Sequence, residues 1–282
     1  MMAAPRLSYC AEQVQKFDND RFLCSLFAPP VEREALAAVG AFNIELARIR
    51  EQAHQPLLGH VRLRWWSDAL DAVFAGAPPQ HPVATALAEA VARFGIAREP
   101  FDRMLEGRAA DLDDSAPQSL AALIGYAEAT SGALAAAGLQ VLAVADAETQ
   151  AAARDVAIAW TLVGTVRAVP FHARARRVYL PADLSREAGL DIYRLFERGP
   201  TEGLRPVVQM LIDVAVERLN RARGKRRAVA PAALPVLLPA RLADLYIERL
   251  RRADFDPFDP RVRTKPRWPM LRLTAARLRQ CF

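Results

Sequence analysis

Carboxylates three or four residues apart on a helix can hold a divalent cation, because they project hard oxygen ligands from one face. Such pairs include Asp68 with Asp71, Asp102 with Glu106 and Asp244 with Glu248, and there is an acidic cluster at Asp111, Asp113 and Asp114 ahead of Pro117. Ordinary solvated helix faces carry such pairs in abundance, and aspartates near a proline suit a turn or a cap, so neither reads as a metal site. Glu45, Arg48 and Glu51 stand three apart, fitting either an intrahelical ion-pair network or an exposed face. His172 has no second histidine or cysteine at ligand spacing and reads as a hydrogen-bonded structural histidine. Around it, Pro170 to Pro181 (PFHARARRVYLP) gathers three arginines and Tyr179, as a basic surface loop or as a site for an anion or a partner.

These groups need a scaffold, and the hydrophobic spacing supplies helices. After Pro29 and Pro30, Ala35, Val39, Phe42, Leu46 and Ile49 recur at helical spacing and predict a helix from Val31 to about Gln52. A second runs from Leu57 to Ala75, ending at Gly76 with prolines beyond. Further helices are predicted at 83–94, 100–111, 120–144, 147–169, 203–223, 231–252 and 269–278. The one alternating stretch of note is Arg177 to Leu180. The expected fold class is all-α, with eight to ten helices, antiparallel neighbours and a central cavity lined by apolar side chains. Trp65 and Trp66 read as core residues.

Composition agrees with a packed globule: just over half of the 282 residues are apolar and a quarter are charged. Cys10, Cys24 and Cys281 are too scattered for a disulfide framework and contain no zinc-type pair. No secretory leader and no membrane-spanning helix are expected, and the expected location is cytoplasmic. The formal charge of +6 concentrates in the C-terminal third, in Glu217 to Arg227 (ERLNRARGKRR) and in a tail at about 261–282 that includes Arg261, Arg263, Lys265, Arg267, Arg272, Arg277 and Arg279. That excess suits an acidic partner or peripheral contact with an anionic membrane on its inner face. Nucleic acid is disfavoured, since no aromatic residues interleave with the arginines.

Three segments, in order, carry a resemblance: VRLRWWSDAL (Val61 to Leu70), HPVATAL (His81 to Leu87) and RRVYLP (Arg176 to Pro181). Glu106-Gly107 with Asp111-Leu112, and Tyr126, add to it. Together they make the chain similar to the squalene/phytoene synthase family. The resemblance implies one isoprenoid-synthase-like domain over residues 1–282. In catalytic members, it further implies, two aspartate-rich helices face each other and hold magnesium against a prenyl diphosphate. Ionising that substrate throws negative charge onto the leaving group, which Mg²⁺ absorbs.

Aligned on the family pattern, GAFNIELARIREQ puts Ala47 and Glu51 at the first pair of aspartate positions, with Arg48 alongside, and TLVGTVRAVPFHARARRVYLP puts Ala168 and His172 at the second. Both clamps are lost, so no catalytic residue, metal or cofactor is expected, and the chain resembles a pseudoenzyme. FNIELA, RAVPFH and ADFDPFDP (Ala253 to Pro260) resemble the branch of the family that includes a mitochondrial assembly factor for respiratory complex I. The resemblance thus implies complex I subunits or assembly intermediates as partners, or a prenyl or quinone-like lipid. Candidate pocket residues are Glu45, Trp65, Glu106, Asp111, Arg167, Arg177 and Tyr179. Arg167 is expected either to hold a phosphate or carboxylate at the cavity mouth or to pair with Glu45 or Asp111. The alternatives are a Mg²⁺-dependent prenyltransferase with Glu51, Glu106 and Asp111 as metal ligands, and a basic nucleic-acid-binding helical domain.

Overall fold

The computed structural model describes residues 7–53, 55–113, 115–264, 268–279 and 281–282. Asp114, Lys265 and Arg267 of the expected acidic and basic clusters lie outside the described residues. Among those described there is no strand, and the stretch Arg177 to Leu180 is an irregular connection. The helices are α1 (Tyr9–Phe17), α2 (Asn19–Ser25), α3 (Pro30–Ala47), α4 (Ile49–Gln52), α5 (Pro56–Phe74), α6 (Pro82–Phe94), α7 (Glu99–Ala109), α8 (Leu120–Ala127) and α9 (Ala133–Val141). They continue with α10 (Ala147–Arg174), α11 (Ala182–Glu187), α12 (Ile192–Arg198), α13 (Leu204–Gly224), α14 (Leu234–Leu237), α15 (Pro239–Arg252), α16 (Pro260–Arg263) and α17 (Pro269–Leu278).

Local chemistry sets these boundaries. Pro30, Pro56 and Pro82 open α3, α5 and α6, where a missing N–H costs nothing and the ring presets the helical φ. Side chains of Ser8, Asp18, Ser119 and Asp146 accept hydrogen bonds from the first turns of α1, α2, α8 and α10. Gly95 takes the left-handed conformation that ends α6.

Three of the expected helices are broken, the one expected over 231–252 into a 3-10 turn, α14 and α15. The one expected to run to Gln52 stops at Ala47 and restarts at Ile49. The one expected over 120–144 carries a π-turn, Glu128–Gly132, between α8 and α9. In the other direction, α10 runs through Pro170 to Arg174, so the first part of the expected loop is helical. Proline there forfeits one intrahelical bond but stays buried, as does Ala173, and the last turn is held by packing.

Helix α10, about 42 Å long at 1.5 Å per residue, is the axis of one apolar cluster and packs along α13 and α15. A second cluster joins α1, α3, α5, α6, α7 and α9, and Leu23 and Leu36 pack against both. In it, Phe42 meets Trp66 and Phe101 edge-on at 5.2 and 5.5 Å. Trp66 is therefore core, as expected. Trp65 is not: it lies on the outer side of α5, its ring 4.9 Å from that of Trp66.

Two long-range hydrogen bonds tie distant parts of the chain. The Tyr246 hydroxyl donates to Asp20 Oδ2 at 2.7 Å across 226 residues. The buried Thr149 hydroxyl accepts from the Ala230 N–H at 2.9 Å. Leu120–Val141 and Ala147–Arg174 are apolar and long enough to pass for membrane spans by composition, but both pack within the bundle.

Candidate functional site

The C-terminal ends of α3 and α10 come together with α4, α7, the π-turn and the loop after α10 around a cavity of about 250 Å³. Ala47 and Glu51 reach it from one side, and Ala168 and His172 from the other. The two stretches that the family pattern aligns with its aspartate-rich helices thus face one space. A second, apolar cavity of about 80 Å³ lies deeper, lined by residues such as Val39, Leu134 and Val156. Arg21, Ser131 and Trp160 belong to both linings and so form the wall between them. Arg21 is fixed there by Asp18 at 2.7 Å and by the Ser131 hydroxyl at 3.1 Å. The inner cavity is smaller than the ~150 Å³ void that accepts benzene in an engineered apolar core.

The mouth is built around Arg108, which sequence reasoning passed over. Its Nη1 donates to Asp111 Oδ2 at 3.0 Å and to the Tyr126 hydroxyl at 2.7 Å, and its Nη2 lies 3.4 Å from Asn43 Oδ1. Tyr126 in turn donates to Asp111 Oδ1 at 2.8 Å, so both carboxylate oxygens are engaged. Arg108, Asp111 and Asn43 are nearly or wholly enclosed. Burial opposes the charge on Arg108, but Tyr126 and Asp111 outweigh it and raise its pKa. Burial likewise pushes the Tyr126 and Tyr179 hydroxyls up.

Close approach of α7 to the π-turn needs Gly107, where a methyl group would come within 2.9 Å of Ala129 Cβ. That gives a physical role to the Glu106-Gly107 pair. The π-turn itself, a geometry common beside functional sites, brings Thr130 and Ser131 to the lining. A signal for Arg108 was present in the sequence, three residues ahead of Asp111 on a helical surface, but nothing there marked the position as interior.

Of the remaining candidates, Asp111, Arg177 and Tyr179 line the mouth. His172 does too, with its ring 4.5 Å from that of Tyr179. Burial lowers its pKa to about 4; Asp111 pulls the other way and Arg177 adds to the lowering. The imidazole is neutral near pH 7.

Glu45, Arg48, Trp65, Glu106 and Arg167 fall outside the lining. Arg48 lies over the Phe17 ring at 3.9 Å, which corrects the expected network with Glu45 and Glu51. Arg167 stacks on Tyr246 with its guanidinium 3.3 Å from the ring centre, so it neither faces the mouth nor pairs with Glu45 or Asp111. Being next to Ala168 in sequence, it projects about 100° away around the helix. Glu106 is exposed on α7 and cannot join Glu51 and Asp111 as a third metal ligand.

A magnesium cluster asks for several uncommitted hard oxygen donors. The lining offers Glu51 and an Asp111 already bound on both oxygens, with Arg21, Arg50, Arg108 and Arg177 around them. Among the described residues, no three His, Cys, Asp or Glu side chains converge. This donor set does not fit the cluster. The other acidic pairs hold arginines on solvated faces: Asp68 pairs with Arg64, Asp71 and Asp102 with Arg98, and Glu248 with Arg252.

The basic C-terminal third also differs from expectation. Arg218 and Arg221 share Asp155, Arg223 holds Asp244 at 2.7 Å, and Lys225 holds Glu148. Much of that run is thus consumed in fastening α13 to α10 and α15.

A family model described as squalene/phytoene synthase matches residues 14–272. Complex I assembly factor 6 of Mus musculus is 32% identical over 257 residues, covering 91% of this chain and 77% of the relative. A phytoene synthase of Cereibacter sphaeroides is 32% identical over 158 residues, 56% of this chain and 42% of that protein. The crystal structure of squalene synthase HpnC from Alicyclobacillus acidocaldarius superposes with a TM-score of 0.78 at 20% identity, over 88% of this chain and 94% of that one. The fold is the isoprenoid-synthase-like helical bundle around a central cavity.

Proposed function

The chain belongs to the squalene/phytoene synthase family, and on that premise we propose that it is a non-catalytic member acting in the assembly of respiratory complex I. In this reading its mouth takes the polar head of a prenyl or quinone-like lipid. The observation that carries the proposal is the exchange of charge at one place. Methyl groups of Ala47 and Ala168 stand where the family pattern has metal-binding aspartates, and the surrounding wall presents four guanidinium groups. Guanidinium carries a permanent charge and a planar fork of N–H donors, which suits phosphate, carboxylate or quinone oxygen without a divalent ion. Over a comparable length the identity to an assembly factor is higher, 32% over 257 residues against 28% over 263 for a phytoene synthase of Arabidopsis thaliana, which supports the same direction.

The protein works as a carrier or sensor beside the inner face of the membrane, where complex I is built.

Two measurements test the proposal. Cells lacking the gene should lose assembled complex I on native gels and regain it with the wild-type chain. The purified protein should be stabilised thermally by farnesyl diphosphate to the same extent with Mg²⁺ or with EDTA, and release no diphosphate. Rapid Mg²⁺-dependent release that falls in Glu51→Ala would establish the prenyltransferase alternative. Normal complex I in the deletion strain would remove the assembly role.

A further inference from the structure

Large apolar side chains left in water need a reason, and five of them gather beside the mouth. On the outer side of α5, Leu57 is 70% exposed, Val61 58%, Leu58 50% and Trp65 42%, and Phe171 on the last turn of α10 is 58% exposed. At 100° per residue the four α5 positions fall within a quarter-turn or so, forming a stripe opposite the buried Gly59, Trp66 and Val73. The stripe belongs to the rim. Gly59 backs directly onto Leu112, next to Asp111, and Arg62 donates to Gln52 of α4, whose Arg50 and Glu51 line the mouth. Phe171 is itself part of the lining.

Positive charge predominates around these residues, although Arg64 is paired with Asp68 and Arg176 with Glu197. Residues 53–67 hold Arg62, Arg64 and His60 and no acid. Residues 168–182, from the mouth end of α10 onward, hold Arg174, Arg176 and Arg177 and again no acid. A row of Leu, Val and Trp bordered by arginine is what the boundary between headgroups and acyl chains selects: the apolar side chains enter and the guanidinium groups stay with phosphate. Each basic residue near an anionic bilayer adds to the attraction.

We propose that the α5 stripe, with Phe171 across the mouth, is a docking face for an anionic lipid bilayer, setting the opening of the polar cavity against the headgroups. The proposal rests on exposure and charge at the rim and stands apart from the complex I reading. It also differs from the expected contact through the basic C-terminal third. The competing face there is α17, where Trp268, Leu271 and Leu278 are exposed beside Arg272 and Arg279.

The test is flotation of the full chain with phosphatidylcholine vesicles containing either no or about a third phosphatidylglycerol. Wild type should float with the anionic vesicles and be released by salt. Leu57→Ser with Val61→Ser, changes at exposed positions that leave the circular dichroism spectrum and melting midpoint unaltered, should weaken binding roughly tenfold or more. Leu271→Ser with Leu278→Ser should bind as wild type. Brominated acyl chains should quench tryptophan emission in wild type, and the quenching should diminish in Trp65→Phe. Any of three results would overturn the proposal: no flotation of wild type, loss that follows the α17 variant instead, or a stripe variant that binds normally. A wild-type dimer that dissociates in the stripe variant would assign the face to self-association, and retention of a complex I subunit without vesicle binding would assign it to a protein.

Discussion

Along the seam between α10 and α13, Arg218, Arg221 and Lys225 each find a carboxylate near the surface, whereas at the mouth four guanidinium groups face Glu51 and Asp111. The two regions look alike in composition, since both are arginine-rich stretches of helix. Their physics differs because the seam groups end in ion pairs between neighbouring helices, while Arg21 and Arg108 are held by Asp18 and Asp111 in the wall of a cavity. The seam uses charge for fastening. The mouth uses it to build the wall of a polar cavity.

The mouth and the seam should separate most clearly in Asp111→Ala. That change leaves Arg108 buried beside only Tyr126 and Asn43, and should cost ~3–5 kcal/mol in urea unfolding. Replacing the pair together, Arg108→Met with Asp111→Leu, should recover most of the loss. A cost under ~1 kcal/mol for Asp111→Ala would put the mouth in the same class as the seam.

Next comes pH. The folded state keeps His172 neutral down to about 4, while the unfolded chain takes up that proton near 6.5. Between these values the unfolded state binds more protons, so stability falls as pH drops from 6.5 to 4 and is regained as it rises. The contribution is on the order of 2 kcal/mol after allowance for the part of the ring that water reaches. His172→Gln should flatten that part of the pH profile.

Arg167→Met removes the stacking on Tyr246 and should lower stability by ~1 kcal/mol, read from thermal unfolding. The smallest effect belongs to the seam. Lys225→Ala should change stability by less than ~1 kcal/mol, with the difference vanishing in high salt.

Much of the helical framework was legible because apolar spacing and proline placement agree: α17 has the predicted limits, and α5, α6 and α13 fall within a residue or two of theirs. The failures occur where tertiary packing overrides local rules. Pro170 failed to stop α10 because Pro170 and Ala173 are buried against the bundle, and the break at Arg48 follows a run with no proline in its interior. At the site, the placement of Ala47, Glu51, Ala168 and His172 around one cavity followed from the family pattern. Arg108 did not, because in sequence it is one arginine among many and only the fold removes it from water. Trp65 and Arg167 were misjudged for a related reason: neighbours in sequence on a helix face different surroundings, and Trp66 and Ala168 took the inner positions.

The hydrogen bond between Tyr246 and Asp20 sets an order of events during synthesis. A ribosome adding ~5–20 residues per second needs roughly 10–45 s to make the residues that separate the two partners. Throughout that interval α2 has emerged while α15, against which it packs, does not yet exist. The early apolar surface of the nascent chain must therefore be shielded by α1 and α3 or by chaperones, and closure of the bundle waits for the last quarter of the polypeptide.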